Sequence, residues 1–181
     1  DVTLLTDRPE LWYSGMTPEW LGRVYTRADV TVPLVPICAR EGVRFVQGTA
    51  VSLDRATREV VTADGRRLGY DLVALDIGSV NPGHPGGAIP TKPLHRIEAL
   101  GAFLDVAATA DDERHLVIVG GGAAGVEVAL NVTARPDLPR LRVTLVEPGD
   151  RLVAGLPARL GDWAAHTLGR RGTDVRLGAE V

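Results

Sequence analysis

The stretch HLVIVGGGAAGVEVALNV, His115 to Val132, constrains the fold more than any other part of the chain. An apolar, largely β-branched run leads into three successive glycines, and a segment rich in Ala and Val follows. That pattern is strand, tight turn, helix. Gly120, Gly122 and Gly125 stand in G-x-G-x-x-G spacing. Gly120 permits the tight turn, Gly122 lets backbone approach a diphosphate without a Cβ in the way, and Gly125 lets the helix pack closely on the strand. The first helical residues, Ala123 and Ala124, carry N–H groups with no acceptor in their own helix, where the helix dipole adds partial positive charge. Glu147 lies 22 residues beyond Gly125, at the end of the next apolar run, LRVTLVE. A carboxylate there can bond the hydroxyls of an adenosine ribose and would repel a 2′-phosphate, which favours NAD(H) over its phosphorylated form. Arg151, four residues further on, carries the opposite preference. The alternative is a glycine-rich turn that binds nothing; loop, helix and acid in register argue against it. Glu127, two residues past Gly125, reads locally as a carboxylate complementing the positive end of the helix.

Around this unit the pattern continues. LHRIEALGAFLDVAATA precedes it as a helix, LPARLGDWAAHTLGRRG follows as a helix stopped by Gly172, and TDVRLGAEV is a further strand. Residues 115–181 therefore read βαβαβ. The first half opens on VTLLTDRP, which echoes VTLVEPGD at 143–150. Leu11 to Thr26 reads as loop or short helix. Asp29 starts a helix expected to run to Arg40, with Pro33 in its first turn and Pro36 without an obvious place. Then come VRFVQGTAVSLD, REVVTADGRRL and YDLVALDIGS: a strand, an antiparallel meander with a hairpin turn at ADGR, and a buried return strand at Leu72–Asp76. NPGHPGGAIPTKP, 81–93, is the densest Gly/Pro segment and marks the boundary between domains. The expected fold is α/β in two domains, over 1–90 and 91–181, with a Rossmann-like unit in the second.

Composition excludes several function classes. A net charge of −3 without a basic stretch argues against nucleic acid as a main partner. One cysteine allows no internal disulfide and no CxxC pair, and Cys38 in VPLVPICA reads as plain core. Four scattered histidines offer no metal-ligand spacing, so no metal is expected. No apolar run approaches the roughly 20 residues of a membrane span, and no signal peptide is evident. These features imply a cytoplasmic location, with peripheral membrane attachment of a longer parent left open. The chain begins with Asp inside a strand-like run, as a fragment would.

HLVIVGGGAAGVEVA resembles the NADH-binding segment of the pyridine nucleotide-disulfide oxidoreductase superfamily. YDLVALDIGSVNP is similar to the segment that closes the superfamily's FAD domain, with Leu-Asp-Ile-Gly-Ser where Ala-Thr-Gly is usual. Together with LLTDRPELWYSGMTPEW, that variant resembles the NADH-dehydrogenase-like branch and the flavoprotein portion fused to selenide, water dikinase in some bacteria. The resemblance implies an FAD domain interrupted by an NAD(H) domain of the same fold, so that VTLLTDRP and VTLVEPGD are equivalent strands of the two. The first unit's glycine loop would then lie upstream of Asp1. Further FAD-contacting residues would lie beyond Val181.

The resemblance carries specific residues. Thr6 and Asp7 end the strand where the FAD ribose would sit. Ser14 and Gly15 fall in the loop expected near the flavin, and Ala50 where backbone would meet the adenine. Gly78 and Ser79 match the closing turn near the FAD phosphates. Lys92 lies in the interdomain linker, where an approach to the flavin and plain solvation are both open readings. Glu127 matches a glutamate near the nicotinamide–flavin stack, which makes it the candidate catalytic residue, in a role of orientation or proton uptake. The implied activity is hydride transfer from NADH to FAD and onward to a quinone, another small acceptor or a protein. The cofactors supply the chemistry and the protein the positioning. Two other readings stand beside it: a redox module serving a fused or docked enzyme, and a nucleotide-binding module without turnover. Alone, the chain is expected to be colourless and inactive. Its unpaired sheet edge invites association with a second copy.

Overall fold

The computed structural model of the chain describes residues 1–81 and 86–181. Residues 82–85, part of the boundary segment 81–93, lie outside the described residues. In chain order the elements are β1 (Thr3–Thr6), β2 (Glu10–Trp12), a 3-10 turn at Ser14–Met16, α1 (Thr17–Leu21), α2 (Arg27–Val30), β3 (Thr31–Pro33) and α3 (Leu34–Arg40). Then follow β4 (Arg44–Gln47), β5 (Ala50–Asp54), β6 (Glu59–Thr62) and β7 (Arg67–Gly69). The second half holds a 3-10 turn at Leu94–Ile97, α4 (Glu98–Thr109), β8 (Arg114–Val119), α5 (Ala123–Val132), β9 (Leu141–Glu147), α6 (Ala158–Arg170) and β10 (Asp174–Leu177). The fold is mixed α/β with parallel sheets. Two compact units form: Asp1–Tyr13 with Thr31–Gly78, and Ser14–Val30 with Ser79–Val181.

In the first unit β1 pairs in parallel with β4, from Thr3 opposite Arg44 to Thr6 opposite Gln47. β5, β6 and β7 form the antiparallel meander. Its ADGR turn closes where Gly65 takes φ +85° and the Thr62 N–H donates to the Arg66 carbonyl at 2.9 Å. Asp64 is held well below the usual carboxylate range, first by the Arg66 guanidinium and then by the Thr62 hydroxyl. Cys38 is buried in α3.

Two sequence expectations are corrected in this unit. The helix expected from Asp29 to Arg40 is interrupted: Thr31–Pro33 is a strand that pairs antiparallel with β2. Val32 precedes a proline, which disfavours helical backbone, and Thr and Val suit a ladder. The helix restarts at Leu34. Pro36 is then its third residue, where an N–H would have no intrahelical acceptor, so the proline costs the helix nothing. The buried return strand expected at Leu72–Asp76 is not formed. Leu72 is 90% exposed and Leu75 65%, and among the described residues no strand lies alongside to pair with them.

The second unit is built on the parallel sheet β10-β9-β8, with Arg114 opposite Leu141 and Asp174 opposite Thr144 setting the registers. The βαβαβ reading of residues 115–181 is observed directly. Val126 and Ala129 of α5, Leu145 of β9 and Ala164 and Leu168 of α6 form one buried cluster, with Ile118 of β8 packed against it. Gly172 ends α6 with φ +79°. Ser14–Val30 belongs here because α1 packs on α4 and α5. A Cβ on Gly101, inside α4, would lie 2.4 Å from Trp20 Cη2. The ~1 kcal/mol that a helical glycine loses relative to alanine is therefore offset by the indole it admits. Arg135, its side chain 3% exposed, donates to the Leu21 carbonyl at 3.1 Å and bridges Asp137 at 2.8 Å.

Candidate functional site

The glycine loop joins β8 to α5, and its glycines are required for different reasons. Gly120 adopts φ +101°, a conformation that favours glycine, and its N–H donates to the Val146 carbonyl at 2.8 Å. A Cβ on Gly125 would lie 1.9 Å from the Gly120 carbonyl oxygen, so α5 can reach the loop only with glycine there. Gly122 fits neither explanation. Its backbone, φ −69° and ψ −179°, is open to any residue, and a Cβ would enter empty space in front of the helix. Nothing in the folded chain calls for glycine at 122; a group approaching the backbone from outside would.

Gly122 is the N-cap of α5, with no side-chain cap bond and no acidic residue in the first turn. The opening N–H groups of this ten-residue helix, those of Ala123 and Ala124 among them, lack a side-chain cap, and both residues are exposed. Uncapped amides and the dipole make an anion site. Glu147 ends β9 beside this loop. Its Oε2 accepts the Gly121 N–H at 2.6 Å and its Oε1 the Gly149 N–H at 2.8 Å. A carboxylate offers about four acceptor positions, so two remain for a ligand's hydroxyls. Arg151 is turned away from that role: its guanidinium donates to the carbonyls of Leu156, at 3.1 Å, and Ala154.

The structure thus brings Gly120, Gly122, Ala123, Ala124, Gly125 and Glu147 into one β-α-β corner. Glu127 lies one turn further along α5, exposed, its carbonyl accepting the Asn131 side-chain amide at 3.0 Å. The residues carried over for FAD divide between the units. Thr6, Asp7, Ala50 and Gly78 lie in the first, where Asp7 is exposed at the end of β1, Ala50 opens β5 and Gly78 turns with φ +65°. Ser14, Gly15, Ser79 and Lys92 lie in the second; Ser14 and Gly15 form the exposed 3-10 turn, and the Lys92 N–H donates to the Asn81 side chain at 2.6 Å. Sequence reasoning missed Gly121 and Gly149, whose amides hold Glu147. The available signal was a third glycine in the loop and a glycine two residues after the acid. No metal-holding cluster of His, Cys, Asp or Glu, and no helix long and apolar enough to cross a membrane, occurs among the described residues.

A parallel sheet with an uncapped, glycine-led helix and an acid at the end of the next strand is the architecture of a dinucleotide-binding α/β protein. The pyridine nucleotide-disulphide oxidoreductase family model matches residues 1–181, and the chain belongs to that family. Among curated proteins it is 31% identical over 102 residues to ferroptosis suppressor protein 1 of Xenopus tropicalis, covering 56% of this chain and 26% of that protein. It is 29% identical over 178 residues to the ferredoxin–NAD(+) reductase component of the p-cumate 2,3-dioxygenase system of Pseudomonas putida, covering 95% and 41%. The crystal structure of a ferredoxin reductase from Rhodopseudomonas palustris superposes with TM-score 0.80 at 20% identity, over 99% of this chain and 44% of that one. The chain spans less than half the length of these relatives.

Proposed function

We propose that this chain is the NAD(H)-binding part, with a portion of the FAD-binding part, of a flavoprotein that takes a hydride from NADH and passes electrons to an acceptor. The observation that carries the reading is Gly122: a glycine without a conformational or packing reason, at the head of an uncapped helix, beside a fixed carboxylate. Those are the requirements of a diphosphate with an attached ribose. The diphosphate would lie on the amides opening α5, with its adenosine ribose on Glu147. NADH is favoured over NADPH because the Glu147 carboxylate would repel a 2′-phosphate on that ribose, while Arg151 is engaged within its own loop. Bound together, the two cofactors supply hydride chemistry. The chain's part is to bind the nicotinamide dinucleotide, hold it and, through the exposed Glu127, orient the nicotinamide end. Thr6, Asp7, Ala50 and Gly78, with Ser14, Gly15, Ser79 and Lys92, are proposed as contacts to FAD on the strength of family membership.

For the acceptor, the similarity to a ferredoxin–NAD(+) reductase component favours a small redox protein, with a quinone as the second reading. The single cysteine, Cys38, is buried, so this chain brings no disulfide-reducing pair to the reaction. The test uses the full-length, flavin-loaded protein. Anaerobic NADH should bleach the flavin's visible band, and a ferredoxin should restore it faster than a soluble quinone. Failure of NADH to bleach the band would refute the reading. Faster reoxidation by the quinone would replace the acceptor.

A further inference from the structure

Two glycines outside the G-x-G-x-x-G spacing point to a second task for Glu147. Gly121 needs no left-handed backbone, yet a Cβ there would lie 2.6 Å from Leu152 Cδ2 and 2.9 Å from Glu147 Cβ. A Cβ on Gly149 would lie 2.9 Å from Glu147 Oε1. The Glu147 side chain passes between the two positions, sharing the crowding at Gly121 with Leu152, and its oxygens take their N–H groups at 2.6 and 2.8 Å. The next peptide group is held as well: the Gly121 carbonyl accepts the Val153 N–H at 2.8 Å. Val153 pays a conformational penalty to make that bond, since a β-branched residue at φ +44° is strained.

We propose that Glu147 is a brace for the diphosphate loop as well as the acceptor for the ribose, an inference that rests on the NAD(H) reading above. Glu147 fixes the peptide between Gly120 and Gly121 and the Val153 bond fixes the one between Gly121 and Gly122, so together they set the direction in which the amides at the head of α5 point. The loop is then shaped before the ligand arrives, and the ligand need not meet the cost of ordering it. The two tasks coexist because the amides occupy two of the carboxylate's four acceptor positions. It follows that removing the Glu147 carboxylate weakens binding even of a dinucleotide with no ribose hydroxyl for it to grip.

The test is a cycle of two proteins and two ligands, read by calorimetry: wild type and Glu147→Ala, each with ADP-ribose and with the analogue lacking the adenosine 2′- and 3′-hydroxyls. The expected result is that the analogue binds Glu147→Ala about tenfold more weakly than wild type, equivalent to about 1.4 kcal/mol. Glu147→Gln, which keeps one acceptor oxygen, should fall between. Equal affinity of the analogue for wild type and Glu147→Ala would overturn the brace while leaving the NAD(H) reading intact. Failure of ADP-ribose to bind wild type would overturn both. Amide exchange in ligand-free wild type gives an answer even if the alanine variant does not fold. The Gly121 and Gly149 amides should be protected and the Ala123 and Ala124 amides should exchange freely; rapid exchange at Gly121 would overturn the brace.

Discussion

Replacing Gly122 or Gly125 with alanine adds the same methyl group three residues apart, and the structure predicts opposite consequences. At Gly125 the new Cβ would sit 1.9 Å from the Gly120 carbonyl oxygen, a backbone atom of a residue whose own N–H is bonded to the Val146 carbonyl at 2.8 Å. Real Cβ contacts do not fall below 3.0 Å, so α5 must move away from β8 by about an ångström. Overpacking of that kind costs about 1–3 kcal/mol, and the rigidity of both partners puts this case near the upper end. For a chain of this length a cost of about 3 kcal/mol lowers Tm by about 6–12 °C. At Gly122 the methyl enters open space with backbone dihedrals that alanine adopts freely. Alanine is a poorer N-cap than glycine by some tenths of a kcal/mol, and the stiffer unfolded chain returns about as much. Stability should therefore change by less than about 0.5 kcal/mol, within the range of an ordinary surface substitution. Dinucleotide affinity, in contrast, should fall at least tenfold, because the methyl occupies the place where a phosphate must meet the amides. Thermal unfolding and calorimetric titration with ADP-ribose read the two effects separately. The reasoning fails if Gly125→Ala is as stable as wild type, or if Gly122→Ala binds ADP-ribose undiminished.

Other expectations follow from the second unit. Asp137→Asn should destabilise by about 1–3 kcal/mol in urea unfolding, because the buried Arg135 is left with Asp105, at 4.0 Å, as its counter-charge; the range sits below that of a fully buried pair since Asp137 is one-third exposed and Asp105 remains. The Asp137 carboxyl is held below its ordinary value, first by the Arg135 guanidinium. A depressed folded-state pKa gives stability that is present above about pH 4 and lost as the pH falls through the lower folded value, so the wild type should lose stability there more steeply than Asp137→Asn. Gly101→Ala should destabilise despite alanine's higher helix propensity, since the Trp20 ring stands 2.4 Å from the new methyl; a rise in Tm would show that the ring can yield. His115 should be the Nε2–H tautomer, because the Arg142 guanidinium can only donate to Nδ1, at 3.1 Å, which leaves Nε2 to donate to Thr144 Oγ1 at 2.9 Å. Long-range nitrogen–proton correlation spectra distinguish this from the other tautomer.

The nucleotide corner was legible in the sequence because its signals are local. An apolar run, a glycine spacing and an acid at a fixed distance fall within one β-α-β unit, and each follows from backbone sterics. What the sequence hid depends on partners distant along the chain. Thr31–Pro33 becomes a strand because Glu10–Trp12 lies beside it. Ser14–Val30 joins the second unit because Trp20 meets Gly101 and Arg135 reaches Leu21. Leu72–Asp76 has the composition of a buried strand but no neighbour to pair with among the described residues. Gly121 and Gly149 were visible as letters, but their purpose appears only once Glu147 is seen between them.

The most direct test of the central claim is a nuclear-resonance titration of the chain with ADP-ribose, following backbone amides. The account predicts saturable shifts concentrated at Gly120 to Ala124 and at Glu147 to Gly149, with the meander of the first unit unchanged. A folded chain whose amides at those positions stay still at millimolar ligand would contradict it.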